Sequence, residues 1–359
     1  MSDRVTEAAG VGRRRQTGTA GGPRKPLTIR DVAALAGVSQ GTVSKALNDA
    51  PGVGAETRAR ILKVIEDLDY HPDASARSLV ARKTGSIGVI IPHTGSYSMA
   101  SAYWPILLTA ITEAAATQGL NVLLSTARSE EDIDSAYQSI LRGRRVDGLV
   151  VGAEQLGQKQ LVELLFKGFP FVTVGKSRFV SHWNVDVDNE GGARTMTTHL
   201  VRLGHRDVLM LAGPEHYPSV QGRVEGYRAV MAAAGLEPRA HHCAYHDESA
   251  TRRLKELLKE EPRPTALFVA AGDLVAAALV AARDLGLRVP SDLALGAFDD
   301  HPHYEHFNPP ITAVSQPIHD LGQAAADLLL ALMDGLTPER RDVILPTRLV
   351  IRRSCGSRS

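Results

Sequence analysis

The chain reads as a small all-α N-terminal domain followed by a larger α/β region built of two subdomains. Three observations carry that expectation. Apolar residues recur at helical spacing between Thr28 and Leu68, and from Ser86 onward short runs of Val, Leu and Ile alternate with helical stretches. The charge also divides at the same place: residues 1–85 hold 14 Lys and Arg against 9 Asp and Glu, a net of +5, whereas residues 86–359 hold 27 against 31, a net of −4. A basic end on a mildly acidic body suits a protein that meets a polyanion at one end only, although a solvated tail gives the same signal.

Length and composition bound the classes. At 359 residues and 43% hydrophobic content the chain buries a substantial core, with room for roughly two or three domains. Two cysteines, Cys243 and Cys355, are too few for a disulfide framework and lack C-x-x-C spacing, which points to a reducing compartment. No apolar run approaches the roughly 20 residues that span a bilayer, and the N-terminus is rich in Gly, Arg and Thr instead of carrying an apolar signal core. The expectation is a cytoplasmic protein with no membrane contact.

Residues 1–26 carry almost no large apolar side chains and cannot offset the entropy of ordering, so they read as a disordered basic tail. Three short helices follow, Thr28 to Ala36, Ser39 or Gln40 to Leu47, and Ala55 to Asp67. Thr28 followed three positions on by Asp31 comes close to a capping box, and Ser39 suits the cap of the second helix. Val32, Leu35, Val38, Val43, Ala46, Leu47, Ile61, Val64 and Leu68 supply a small core.

Beyond Ser86, SIGVIIP, LNVLLST, DGLVVGA, PFVTVG, RDVLMLAG, TALFVAAG and LALGAFDD read as strands, separated by stretches long enough for crossover helices or loops. That repetition argues for parallel sheets covered on both faces. About 270 residues exceed one comfortable sheet, so two subdomains sharing a cleft are expected.

The stretch TIRDVAALAGVSQGTVSKALND places Ala33 and Gly37 where two helices pass closely and leaves the second helix polar on one side, as in a helix-turn-helix. It resembles the DNA-binding segment of the LacI family of bacterial regulators. VSQGTVSKALN is similar to that family's V-S-x-x-T-V-S-R-x-L-N pattern, LDYHP to its L-x-Y-x-P, and ARSLVARKT to its hinge. IGVIIP, GLNVLL, DGLVV, LGH-x-x-V, RVEGYRAVM, GLRVPSDLALGAFDD and PPITAVSQP follow in the order of the family's effector-binding half. The resemblance covers residues 28 to about 353 and implies a helix-turn-helix domain over 27–72, a hinge over 73–84, and a periplasmic-binding-protein-like effector and dimerisation domain over 85–355. Within that domain it implies a first subdomain at about 85–174 and 317–334 and a second at about 175–316 and 335–355. Crossings are then expected near Val174, near Gln316 and between Asp334 and Arg341.

The same resemblance implies site residues. For double-stranded operator DNA they are Thr28, Ser39, Gln40, Gly41, Thr42, Ser44, Lys45 and Asn48, with Ala76 and Leu79 in the hinge. Gln40, Gly41 and Lys45 lie where the family reads bases; Gly41 has no side chain, so reading falls on Gln40, which pairs with adenine, and Lys45, which donates to guanine. Lys45 stands where the family usually has arginine and lacks its rigid fork. Ser39, Thr42 and Ser44 suit phosphate or base contact, and equally suit capping and solvating a helix. Residues 73–80 are too short to hold helix alone, and Leu79 matches a minor-groove wedge, with core or linker packing as the duller alternative. Asp73 departs from the family's common Asn.

For a small effector, Arg223, Asp273 and Asp299 are expected at strand ends lining the cleft. An arginine and an aspartate converging there suit a polyhydroxylated ligand of the carbohydrate class, since each forms two charge-assisted bonds to adjacent hydroxyls; a surface ion pair is the alternative. AAGDL carries Gly272 where the family commonly has Asn, so one expected amide ligand is missing. Tyr103 and Trp104 suit an apolar platform for a sugar ring, with core packing as the other reading, and His93, Lys176 and Trp183 are further cleft-edge candidates.

Other chemistry finds little support. HHCAYHDE, residues 241–248, lacks a recognised metal spacing, and HPHYEH, residues 301–306, reads as loop surface. Asp299 and Asp300 are adjacent and make a poor acid/base pair. No dinucleotide, Walker or G-x-S-x-G motif is present, so no cofactor, metal or catalytic residue is expected. A sugar-binding transport protein would carry a signal peptide and an α/β enzyme would show catalytic residues at strand ends, which leaves a ligand-responsive repressor as the expectation. No heptad-bearing extension follows RLVIRRS, and a homodimer on a palindromic operator is expected.

Overall fold

The computed structural model describes residues 27–70, 83–91, 102–126, 130–143, 145–152, 158–177, 182–245 and 248–356. The chain divides into two units, residues 1–80 and 81–359. Among the described residues no helix is long and apolar enough to cross a membrane.

The N-terminal unit contains α1 (Ile29–Ala36), α2 (Gln40–Leu47) and α3 (Ala55–Asp67). The Thr28 backbone N–H and hydroxyl both donate to Asp31 Oδ2, at 2.8 and 2.7 Å, which starts α1. Gly37 ends it in the left-handed region at φ 65°, a conformation that a side chain disfavours, and the chain turns sharply into α2. Val32, Ala33, Ala36, Val43, Ala46, Ile61 and Tyr70 form the core. Leu35, expected among them, is 63% exposed. The buried stripe of α1 runs through Val32, Ala33 and Ala36, and at about 100° per residue Leu35 lies roughly a quarter-turn or more from its centre.

Among the described residues the larger unit holds two six-stranded sheets. The first comprises β1 (Ser86–Ile91), β2 (Asn121–Thr126), β3 (Gly148–Gly152), β4 (Phe171–Val174), β5 (Asn184–Val187) and β11 (Asp342–Leu345), in the order β11-β5-β4-β3-β1-β2 and parallel throughout. On one face α4 (Tyr103–Thr117) and α11 (Ile318–Met333) bury Leu107, Ile111, Leu321 and Leu329 against Val89 and Val150. On the other, α5 (Glu130–Arg142) and α6 (Gln158–Phe166) bury Tyr137, Ile140, Leu161 and Leu164 against Ile90 and Val151.

The second sheet comprises β6 (Val208–Ala212), β7 (Arg239–His242), β8 (Ala266–Val269), β9 (Ala294–Phe298), β10 (Thr312–Ser315) and β12 (Arg348–Val350), in the order β12-β10-β9-β8-β6-β7. All its pairs are parallel except β10 with β12. Here α7 (Asn189–Arg202) and α8 (Pro218–Ala233) cover one face through Met196, Leu200, Tyr227 and Met231, and α9 (Glu248–Leu257) and α10 (Val275–Asp284) cover the other through Leu254, Leu257, Ala278 and Ala281. Two doubly wound sheets result.

Two expected crossings move. The chain does not leave the first sheet near Val174, because β5 still pairs with β4 (Thr173 with Asn184, Val174 with Val185). It leaves after Val187, where Asp188 caps α7 by accepting from the Gly191 N–H at 2.8 Å. Nor does it leave between Asp334 and Arg341: β11 pairs with β5 from Asp342 to Leu345, and Pro346 and Thr347 carry the chain to β12. The boundaries of the first subdomain therefore extend to Val187 and take in residues 342–345. Between them the chain passes from β10 through Gln316 and Pro317 into α11. The Asp188 N–H donates to Leu345 O at 2.9 Å, tying the first connection to the last.

Candidate functional site

Helix α2 presents the residues nominated for DNA. Ser39, Gln40, Gly41, Lys45 and Asn48 are exposed, and Thr42 and Ser44 are half-buried. Thr28 is exposed at the head of α1. Some of these groups already serve the helix. Ser39 Oγ accepts from the Thr42 N–H at 3.1 Å and lies 2.9 Å from Thr42 Oγ1, while Asn48 Nδ2 donates to Ser44 O at 3.0 Å. Gln40 and Lys45 are exposed on the same helix that buries Val43 and Ala46. A Cβ built on Gly41 meets nothing nearer than Ser39 Oγ at 3.7 Å, so bulk is tolerated there within the protein.

One residue that the sequence did not single out fixes the exit of α2. Arg58, from α3, pairs with Asp49 and donates through Nη2 to Ala50 O at 2.9 Å. This holds Asp49, at φ 52°, against the end of the helix. Ala76 and Leu79 lie outside the described residues, as do the tail and His93.

In the larger unit a cavity of about 160 Å³ opens between the two sheets. Arg223, Asp273, Asp299, Tyr103 and Trp104 all line it, so five positions that span about two hundred residues of sequence meet in one place. Arg223 comes from α8 and is 6% exposed. Its Nε donates to Asn189 Oδ1 at 2.9 Å and its Nη1 to Ala270 O at 2.7 Å, and Nη1 lies 3.6 Å from Asp299 Oδ2. The guanidinium stacks over Phe298 at 3.8 Å from the ring centroid.

Asp299 follows β9 directly and sits at φ 72°, a left-handed turn that Asp tolerates better than bulkier residues. That turn aims its carboxylate at the Gly272 N–H, which donates to Oδ2 at 3.0 Å, while Gln316 Nε2 donates to Oδ1. Asp300 is held by Arg352, with bonds of 2.7 and 3.1 Å. The two neighbouring carboxylates thus serve different partners.

Tyr103 and Trp104 open α4 with their rings edge to face, centroids 5.6 Å apart. Trp104 also belongs to the core of the first sheet, so packing and cleft lining are served by one ring. Lys176 and Trp183 do not line the cavity. Asp186, Asn189, His301 and Gln316 do, and the sequence reading nominated none of them. Gln316 stood inside the PPITAVSQP landmark, and Asp186 and Asn189 inside the polar NVDVDN run, so a signal was present in each. Burial pushes the Asp186 carboxyl above its ordinary value, with the Val187 N–H and Arg223 pulling the other way. In the 241–248 stretch, His242 Nδ1 lies 2.9 Å from Gly213 O and His241 Nε2 lies 3.1 Å from Arg253 Nη2; His246 and Asp247 lie outside the described residues.

Comparison with known proteins places these two units. Residues 28–73 match the model of bacterial regulatory proteins of the lacI family, and residues 197–355 match a periplasmic binding protein-like domain. The HTH-type transcriptional regulator CelR of Thermobifida fusca is 33% identical over 339 residues, covering 92% of this chain and 99% of that protein. Among solved structures, the lac repressor dimer bound to operator and the anti-inducer ONPF superposes with a TM-score of 0.82 at 28% identity, covering 93% of this chain and 100% of that one. A CelR–cellobiose complex superposes at 0.69 and 31% identity, covering 91% and 99%. With that identity sustained across nearly the whole length, and a helix-turn-helix ahead of two doubly wound sheets, the chain belongs to the LacI family of bacterial transcriptional regulators.

Proposed function

We propose that this protein is a repressor whose affinity for a palindromic operator is set by a carbohydrate held between its two sheets. The observation that supports it best is the convergence of Arg223, Asp273, Asp299, Tyr103 and Trp104 on one cavity. A buried guanidinium and a carboxylate side by side offer donors and acceptors to adjacent hydroxyls, and the aromatic pair offers apolar surface to the face of a ring. CelR, whose complex with cellobiose is among the similar structures, supports a sugar as the ligand class.

Helix α2 supplies the DNA-reading surface in this proposal. Gln40 and Lys45 read base edges, and Thr28, Ser39, Thr42, Ser44 and Asn48 contact phosphates or bases beside them. Gly41 leaves the backbone free to approach the groove. Ala76 and Leu79 enter from the sequence alone as a hinge that wedges into the minor groove. The protein acts as a homodimer, matching two half-sites, and binds its ligand without altering it. Ligand binding biases one arrangement of the two subdomains and so changes the population competent for DNA.

Selection of bound sequences from random DNA, followed by titration of the recovered site with and without sugars, tests the proposal. A palindrome and a sugar-dependent change in operator affinity are expected. Recovery of no preferred sequence, or chemical conversion of the sugar on incubation, would overturn it.

A further inference from the structure

Gly272 opens the one-turn helix that follows β8, and both of its backbone groups are engaged. Its N–H donates to Asp299 Oδ2 at 3.0 Å, and its carbonyl accepts from the Tyr304 hydroxyl at 3.0 Å. Burial raises the Tyr304 hydroxyl far above its ordinary value, which keeps it protonated as the donor. A Cβ on residue 272 would fall 2.1 Å from His301 Nε2 and 3.1 Å from Asp299 Cβ. The imidazole of His301 therefore occupies the space, next to the Arg223–Asp299 pair, that a side chain at 272 would fill.

His301 is 7% exposed and forms part of the cavity wall. Its ring is held edge to face by Tyr304, centroids 5.2 Å apart, and stacked on His303 at 5.4 Å. Among the described residues its ring nitrogens make no hydrogen bond. A nine-tenths buried imidazole without a partner, fixed on two sides and facing a cavity, is a group waiting for a ligand. Neutral imidazole offers one donor and one acceptor, which together match a hydroxyl.

The charges around it narrow the ligand. Asp186, Asp273 and Asp299 line the cavity against one guanidinium, Arg223, and Asp300 is already neutralised by Arg352. An anionic ligand would meet an excess of carboxylates there.

We infer that His301 contacts the effector directly, in the place a side chain at 272 would take, and that the effector is a neutral, unphosphorylated polyol; this rests on the cleft being the carbohydrate site. Gly272→Ala then acts through His301, because the added methyl displaces the imidazole.

Calorimetry of the full-length protein with cellobiose, maltose, galactose, ribose and glucose 6-phosphate tests this, with thermal melts to check folding. A neutral sugar binds the wild type more tightly than glucose 6-phosphate. His301→Ala and Gly272→Ala each raise its Kd roughly 5- to 30-fold, the loss of a buried hydrogen bond. The double variant Gly272→Ala/His301→Ala is no worse than either single one, and His301→Gln, which keeps a donor and an acceptor, retains most of the affinity. Wild-type affinity in His301→Ala, alongside lost binding in Arg223→Ala, would overturn the role of His301 and leave the carbohydrate reading standing. Preference for glucose 6-phosphate would overturn the ligand class, and a wild type that binds none of the five would overturn both.

Discussion

The two recognition surfaces of this protein handle polar groups in opposite ways. On α2 the base-reading candidates Gln40 and Lys45 stand in solvent, and among the described residues no side-chain hydrogen bond or ion pair fixes them. In the cleft Arg223 is buried, stacked on Phe298 and bonded to Asn189 and Ala270 before any ligand arrives. Exposed polar side chains are cheap to hold and adaptable, which suits a surface that must slide on DNA before it finds a sequence. Buried ones are costly to desolvate, and prior organisation by the fold lowers the entropy lost when a small ligand binds. The contrast teaches that substitutions of Gln40 or Lys45 alter binding alone, whereas substitutions of the buried cleft residues alter binding and folding together.

The largest expected effect is therefore Arg223→Ala. It leaves the Asn189 amide oxygen, the Ala270 carbonyl and the Asp299 carboxylate without their cation at a buried site. Removing one partner of such a cluster costs about 3 kcal/mol of stability. Urea denaturation should show the loss in the midpoint, and calorimetry should show no sugar binding. Wild-type stability together with lost binding would break the comparison, because it would mean that the cleft is organised without its central cation.

Lys45→Ala comes next and is expected to leave the urea midpoint unchanged. Specific operator affinity should weaken by roughly 1–3 kcal/mol and preference at one base pair should relax, while affinity for scrambled DNA falls much less. Titrations on matched and scrambled sites separate these outcomes. Equal loss on both would make Lys45 a phosphate contact.

How far such behaviour is legible in the sequence differs between the two surfaces. α1, α2 and α3 have the extents read from capping residues and apolar spacing, because each decision is local: Thr28 with Asp31, Gly37 in the turn, Ser39 ahead of Gln40. The seven strands marked by Val, Leu and Ile runs are also present. β5, with the sequence Asn-Val-Asp-Val, and β7, Arg-Ala-His-His, carried no such run, since β5 alternates apolar with polar residues and β7 is a half-exposed edge. Overlooking β5 and β11 is what displaced the crossings. In the cleft, Arg223 and Asp299 were legible from flanking landmarks. His301 was not, because HPHYEH reads as loop surface until Gly272 is seen to leave room for its imidazole. The meaning of that histidine depends on a residue 29 positions away, and no local pattern carries it.

Ser39→Ala sharpens the comparison at a smaller scale. Ser39 caps α2 through the Thr42 N–H and is also a candidate DNA contact. Loss of a serine cap costs about 1 kcal/mol, so the N-terminal unit should melt earlier. Ser39→Asp restores the cap but places a charge beside phosphate. Melting restored with operator affinity still low would assign Ser39 both roles, whereas recovery of both would leave it a cap alone.

The smallest effect concerns Asp186, and it reads out as a slope with pH. Its carboxyl lies under the cleft, where Oδ1 accepts from the Val187 N–H at 2.7 Å and from Asn189 Nδ2 at 3.2 Å. Burial outweighs these bonds and the pull of Arg223, raising the folded-state value above the ordinary 3.8. A folded value above the unfolded one means that the native state holds this proton more tightly. The contribution of Asp186 to stability is then fullest below pH 3.8 and is lost as pH rises from there through the raised folded value. Carboxylates such as Asp292, held down to about 2 by Arg288, contribute the opposite slope, so the wild-type curve alone does not reveal the effect. The difference between Asp186→Asn and wild type does. Asparagine keeps an acceptor for the Val187 N–H and cannot ionise, so its stability relative to wild type should climb with pH above about 4 and then level off. Urea midpoints taken from pH 3 to 7 on both proteins give that difference. A flat difference would show that Asp186 is solvated well enough to ionise freely, and a falling one would show that Arg223 and the backbone donor outweigh burial, placing Asp186 with the pre-paired anions of the cleft instead of against them.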